Sequence, residues 1–414
     1  MFNKRRIQVA HIIFHIDVNS AFLSWSAVEE LNKARQEGRT AVDLRTVPAI
    51  VGGDVKQRRG IVTAASITAK RLGIRTAQPV VDAFRLCPDL IVVKSDFGLY
   101  RARSRELMAL LREYSPVLQQ MSVDECFLDV TELTAGEGDG QIRKKALHLA
   151  HEMKDRVHRE LEFTVNIGIS TNKVLAKMAS DFEKPDKVHT LFPDEIEEKM
   201  WPLDVGKLFM AGKASAGKLR DLGIMTIGDL AGSDPKMLES HLKSHGKTLW
   251  NYANGRAGDQ VHTERERAKS ESVERTLPHD CIDLEDAFRY LKGLCIELAG
   301  RLFNHGYRAA EVAVLIKYAD FTSATHQRQL VTVTGEAADL EQEAHALFEE
   351  MWDGKPIRLL GVRAGKLVAK GDPVQMSLTD FAKERTVNAR KQKADAAMKE
   401  LQDRFGKAVI FRGE

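Results

Sequence analysis

The chain has 414 residues, a formal net charge of +3, 43% hydrophobic and 29% charged residues. That balance excludes a disordered chain, gives ample material for sizeable cores, and at roughly 100–200 residues per domain predicts two to four domains. No apolar run approaches the ~20 residues of a membrane span. With no CxxC spacing among the four cysteines, the expectation is a cytoplasmic protein with no signal peptide, structural zinc or disulfide framework.

Residues 11–17 form a short apolar run ending in an acid, which predicts a buried strand. Residues 21–33 have helical spacing, and 46–51 form a second apolar run closed by Gly52-Gly53. Helices are predicted at 66–72 and 100–113, the latter stopping before Ser115-Pro116. Paired strands follow at 117–120 and 126–130, flanking 121–125, then a glycine-rich gap and a helix to about residue 160. A strand at 163–170 leads into a helix at 172–182, with Asn172 as N-cap and the Lys184-Pro185 pair ending it. This order is that of a split βαβ sheet. Residues 193–258 read as short helices broken by glycine, and 262–270 (HTERERAKS) as a polar linker. Helices at 284–304 and 337–352, among strands at 310–318, 329–333 and 358–368, predict a second small α+β unit. From 372 the chain is a tail with a charged helix at about 387–404.

Three features carry chemistry. Asp17 ends the first strand, and Asp124-Glu125 sit at a hairpin turn, where both carboxylates can approach one site. Carboxylates packed together without a cation raise one another's pKa. Hard oxygen ligands of this kind suit two Mg²⁺ ions, which activate an attacking hydroxyl and stabilise a leaving pyrophosphate. Read alone, Asp17 serves equally as a helix N-cap and Asp124-Glu125 as a solvated turn. Lys173, Lys177 and Lys184 recur near one helix face, either as phosphate-binding charges or as a solvated stripe. Residues 1–192 hold 29 basic and 24 acidic residues, and 269–371 hold 13 and 16, so any nucleic-acid contact must use a local stripe. One candidate is 354–371, which contains Lys355, Arg358, Arg363, Lys366 and Lys370 and no acid. A solvated strand edge is the other reading.

The strings HIDVNSAF, SVDECFLDVT, GISTNKVLAKMASDFEKP, LGIMTIGDL and PIRLLGVR, in this order over about residues 10–371, resemble the Y-family translesion DNA polymerases of the DinB, or polymerase IV, type. The resemblance implies an α+β right hand: a ferredoxin-like split βαβ palm (1–19 and 83–192), small fingers (20–82) and a helix–hairpin–helix thumb (193–261). A linker (262–270), an α+β little finger (271–371) and a tail (372–414) complete it. It implies Asp17, Asp124 and Glu125 as catalytic carboxylates and, with the Val18 backbone carbonyl, as ligands of two Mg²⁺ ions. Phe22 would be the steric gate against a ribose 2′-hydroxyl, and Lys184, Lys70 and Phe22 would bind the incoming dNTP. Gly212 and Lys213 of the thumb, with Lys355, Arg358, Arg363 and Lys366, would contact primer–template DNA.

The chain departs from the family pattern at Asn19, usually acidic, and at Ala21-Phe22, usually an aromatic pair. It departs again at Ile67 and Lys70, usually tyrosine and arginine, and in the glycine-poor first thumb hairpin at 208–213. A second thumb hairpin is expected around Gly246. In the tail, Gln375, Leu378 and Phe381 (QMSLTDF) resemble the peptide that bacterial polymerases insert into the β sliding clamp, a few-residue anchor. The start of the tail helix is the alternative reading. The implied activity is low-fidelity, non-proofreading, template-directed DNA synthesis in lesion bypass, by a monomer without a membrane partner. Two alternatives stand beside it: a catalytically inactive, clamp-tethered DNA-binding protein of the same fold, and a template-free nucleotidyltransferase.

Overall fold

In a computed structural model of the chain, residues 11–53, 60–264 and 267–372 are described. They fall into two units divided between residues 265 and 266. The first unit is built on a five-stranded sheet in the order Leu118–Gln120, Glu125–Asp129, Ile13–Val18, Val165–Ser170, Val188–Thr190. Neighbours are antiparallel except the last pair. Successive side chains of a strand point to opposite faces. Phe14, Ile16 and Val18 therefore enter one core with Leu107, Leu111, Met153 and Val157, supplied by the helices Phe97–Arg112 and Asp139–Leu161.

Ile13, His15 and Asp17 take the other face, covered by the helix Lys173–Ser180. Asn172 caps this helix as expected, its Oδ1 accepting from the Leu175 N–H at 3.0 Å. Close approach to the sheet depends on Gly168, opposite His15 in the ladder. A Cβ there would overlap the Ala176 carbonyl oxygen and the Ser180 nitrogen. The helix ends at Ser180, so Lys184-Pro185 does not end it as the sequence suggests. Lys184 stands on the loop beyond it.

A small sheet packs beside the first. Ala49–Gly52 lies between Val62–Ala65, antiparallel, and Ile91–Lys94, parallel. Ile91–Lys94 lies beyond the fingers boundary expected at residue 82, yet it is hydrogen-bonded into this sheet. The short helices Lys213–Asp221, Ile227–Ala231, Pro235–Leu242 and Ser244–Ala253 share a core with Val174, Leu175 and Met178. Gly246 is not in a hairpin turn: it is buried inside Ser244–Ala253, where a Cβ would overlap the Leu238 carbonyl. The turn lies at Lys243, whose φ is 56°.

The second unit is a four-stranded antiparallel sheet in the order Ser323–Thr334, Tyr307–Tyr318, Ile357–Gly365, Ser270–Cys281, extended by the short strand Val368–Ala369. The helices Leu284–His305 and Ala337–Met351 bury Leu291, Leu298, Leu340 and Phe348 against Val312, Val314 and Leu360.

Candidate active site

Antiparallel register places Asp17 directly opposite Glu125. The Val18 N–H donates to the Asp124 carbonyl at 3.0 Å, tying the hairpin turn to the end of the first strand. Ser122 organises that turn: its hydroxyl donates to Asp124 Oδ1 at 2.5 Å, and its oxygen accepts from the Asp124 and Glu125 N–H groups at 3.2 Å each. Burial, reinforced by the charges of Asp17 and Glu125, pushes the Asp124 carboxyl above the usual range, despite the Ser122 bond. Glu125 goes the other way, to about 2, held by His15 and Lys177 against burial. Lys177 Nζ donates to its Oε2 at 2.8 Å, while His15 Nε2 stands 3.4 Å away, so the ammonium is the closer partner. Burial holds the His15 imidazole below its ordinary pKa.

Asp17 Oδ2 accepts from Lys184 Nζ at 2.5 Å and lies 3.7 Å from Lys177 Nζ. Burial disfavours the Lys184 charge, but Asp17 and Asp181 outweigh it and raise the pKa. Among the described residues, no three His, Cys, Asp or Glu side chains are drawn together tightly enough to enclose a metal as they stand. Asp17 and Glu125 instead each direct an oxygen at an ammonium group. The donor set still fits hard divalent cations: Asp17 and Glu125 come from two adjacent strands and Asp124 from the turn that leads into the second, mutually repelling, with Asp17 and Glu125 already oriented toward positive charge.

Beside the carboxylates opens a cavity of about 750 Å³, lined by Asp17, Val18, Phe22, Lys70, Asp124 and Lys184, among others. That is within the usual size range of small-molecule sites, about 300–1,000 Å³. Lys70 Nζ donates to Ser20 Oγ at 2.8 Å. Burial, then the nearby Lys184 charge, lowers its pKa, with Asp17 opposing. Ile67 lines the same cavity and offers no polar group. Phe22 stacks on the buried Tyr100, ring centroids 4.4 Å apart and planes 8° off parallel. The Ser26 hydroxyl donates to the Phe22 carbonyl at 2.8 Å and lies 3.2 Å from the Tyr100 hydroxyl. The ring that faces the cavity is thus held from behind and below.

The family comparisons bear on this constellation. The impB/mucB/samB family model matches residues 16–181, and the model of that family's C-terminal domain matches residues 268–378. The chain belongs to the impB/mucB/samB family, the Y-family DNA polymerases. It is 41% identical over 404 residues to the DNA polymerase IV of Clostridium acetobutylicum, covering 98% of each chain. It is 35% identical to DNA polymerase IV 1 of Bacillus subtilis, covering 98% of this chain and 93% of that protein. A solved chimeric Y-family DNA polymerase shares the fold, with a TM-score of 0.74 and 23% identity, over 86% of this chain and 99% of the other.

The cavity gathers Asp17, Val18, Phe22, Lys70, Asp124 and Lys184, with Glu125 paired with Asp17; of the lysine series it takes Lys184 but not Lys173 or Lys177. Gly212 and Lys213 lie elsewhere in the first unit, Gly212 as the extended N-cap of Lys213–Asp221. In the second unit the basic stretch is free of acids in sequence but not in space. Arg363 and Lys366 share Glu311, at 3.4 and 3.5 Å, and Lys355 meets Asp353 at 2.5 Å. Arg358 lies over the Phe321 ring, 4.7 Å from its centroid. Gln375, Leu378 and Phe381 fall outside the described residues.

Sequence reasoning missed several supports of the site. His15 Nδ1 bonds Ser180 Oγ at 2.8 Å. Asn19, noted only as a missing acid, is a buried hub. Its Oδ1 accepts from Thr164 Oγ1 and the Asp186 N–H, both at 2.9 Å, and its Nδ2 donates to Asn166 Oδ1 at 3.0 Å. It thereby anchors the loop that carries Lys184. The signal available for His15 was strand alternation, which puts it on the face of Asp17.

Proposed function

We propose that this chain is a template-directed DNA polymerase acting in lesion bypass. The observation that carries the reading is the convergence of Asp17, Asp124 and Glu125 beside a cavity that also presents Lys70, Lys184 and Phe22. Its relatives named DNA polymerase IV, matched over nearly the whole chain, support it.

In this reading Asp17, Asp124, Glu125 and the Val18 carbonyl would hold two Mg²⁺ ions, whose chemistry when bound would be to activate the primer 3′-hydroxyl and to neutralise charge on the pyrophosphate. Lys184, released from Asp17, and Lys70, released from Ser20, bind the triphosphate as point charges; Lys70 lacks the bidentate fork an arginine would bring. Phe22, backed by Tyr100, closes the cavity where a 2′-hydroxyl would project. Gly212 and Lys213, and in the second unit Lys355, Arg358, Arg363 and Lys366, contact DNA phosphates; Arg363 and Lys366 do so by leaving Glu311. Gln375, Leu378 and Phe381 tether the chain to a β sliding clamp.

We assign the palm to 1–19 and 95–192, the fingers to 20–94, moving the expected boundary to include Ile91–Lys94, the thumb to 193–261 and the little finger to 271–371. The enzyme works as a cytoplasmic monomer. No helix among the described residues is long and apolar enough to cross a membrane.

Primer extension with one dNTP at a time tests the reading. Addition of the template-complementary deoxynucleotide with Mg²⁺ supports it. Addition that ignores the template would point to a template-free transferase. Tight DNA binding without extension would point to an inactive accessory protein.

A further inference from the structure

The proposed reaction leaves one cation at the site without a role. Lys177 does not line the cavity. Its side chain is only 14% exposed, against 38% for Lys184. From the middle of the helix Lys173–Ser180 it reaches Glu125 Oε2 at 2.8 Å, Asp181 Oδ2 at 3.6 Å and Asp17 Oδ2 at 3.7 Å. An ammonium has three donors and no acceptor, so three carboxylates can share it. Lys184 touches Asp17 and Asp181, whereas Lys177 reaches the carboxylates of both facing strands.

Its backbone is fixed to the same strand as Asp17. The Ser180 hydroxyl donates to the Lys177 carbonyl at 2.8 Å, and the same oxygen meets His15 Nδ1 at 2.8 Å. Gly168 lets the helix sit close enough for the side chain to reach both strands. Asp181, at i+4 and half-exposed, gives the ammonium somewhere to retreat.

We infer that Lys177 is the positioning residue of the carboxylate site: it holds Asp17 and Glu125 together as an internal counter-ion and sets the site's divalent-cation affinity by competing for the same oxygens. The inference rests on the proposed reading of those carboxylates as metal ligands. Its physical basis is the repulsion between two ionised groups paired across adjacent strands, which needs a positive charge whenever no other cation supplies one. A divalent cation entering between them meets the ammonium as a like charge and must displace it toward Asp181. Lys177 thus stabilises the site before loading and moderates how tightly it loads.

The test uses the full chain, the variants Lys177→Met, Lys177→Gln and Lys177→Arg, and Lys173→Met as control. Lys173 lies one turn earlier on the same helix and donates to Gln119 Oε1 at 3.3 Å. Mn²⁺ affinity is read from the paramagnetic resonance of the free ion, and thermal unfolding is followed in EDTA and in saturating Mn²⁺. The Met and Gln variants should bind Mn²⁺ at least about tenfold more tightly, a lower bound for removing one positive charge ~4 Å from a divalent ion. They should melt below the parent in EDTA, and the gap should close in Mn²⁺. Lys177→Arg should keep the parent's stability in EDTA, and Lys173→Met should change neither measurement. If the Met variant does not fold, the Gln variant still reports the loss of charge. Unchanged or weaker Mn²⁺ binding in these variants, beside a parent that binds the ion, overturns the role of Lys177 alone. A parent that binds no Mn²⁺ overturns the metal reading and this inference with it.

Discussion

Replacing Gly168 with alanine should destabilise the first unit more than any one-carbon change at the surface. The added Cβ would overlap the Ala176 carbonyl oxygen and the Ser180 nitrogen, and would meet the Ala179 carbonyl carbon at 3.0 Å. All three are backbone atoms, so no rotamer change relieves the contact and the whole helix Lys173–Ser180 must move off the sheet. Overpacking usually costs about 1–3 kcal/mol where side chains can give; with only backbone to yield, the expected cost is about 3 kcal/mol or more. Gly217 is the opposite case. It lies inside the helix Lys213–Asp221, and a Cβ there meets nothing within 4 Å, so Gly217→Ala should gain about 0.5–1 kcal/mol from helix propensity. Urea unfolding of both variants, read from the transition of the first unit, measures the two effects. A Gly168→Ala midpoint indistinguishable from the parent's would refute the claim that the helix bearing Lys177 is seated by the missing Cβ.

Phe22→Ala should raise ribonucleotide incorporation by orders of magnitude while changing deoxynucleotide use far less. Tyr100→Leu, which removes the stack behind the ring, should raise it by up to about tenfold, since an aromatic pair is worth ~0.5–1.5 kcal/mol. Steady-state insertion of each sugar form measures both, and unchanged ratios would make Phe22 an ordinary core residue. The triple change Gln375→Ala, Leu378→Ala and Phe381→Ala should leave clamp-free extension intact and abolish stimulation by a loaded clamp, because tethering acts through effective concentration. Full stimulation of the triple variant would make the motif a chance match, and a loss of clamp-free extension would place the tail against the catalytic core.

What the sequence disclosed and what it hid have physical reasons. Asp17 and the Asp124-Glu125 turn stood out as candidates because carboxylates at strand ends and turns are visible in a linear pattern, but it was the family resemblance that chose the metal-ligand reading over a helix N-cap and a solvated turn. Four strands of the first sheet were legible through their apolar runs; the fifth, Val188–Thr190, is three residues long and was not. Ser270–Cys281 was not: its residues alternate between buried Val273 or Leu277 and exposed charges, so it reads as a polar continuation of the linker. The outer strand Ser323–Thr334, mostly exposed, was recovered only over its last residues for the same reason. The short strands Val62–Ala65 and Ile91–Lys94 are too brief to show a period. Lys177 appeared in the sequence as one member of a charged helix face, but helical spacing cannot say which strand the face meets. That answer came from Gly168, whose missing side chain sets the distance. The basic stretch 354–371 was misleading in the opposite sense, since Glu311 is distant in sequence and adjacent across the sheet.

On the proposed reading, Asp17 and Glu125 act on the chemical step and contribute little to holding DNA. Asp17→Ala and Glu125→Ala should each bring primer extension below a few per cent of the parent. Each should keep primer–template affinity within a few-fold, because that affinity comes mainly from phosphate contacts elsewhere, whereas transition-state charge is stabilised at the carboxylate site. Extension and equilibrium DNA binding measured on the same preparations decide the matter. Extension well above that level in either variant, or DNA binding lost in step with it, would contradict the account.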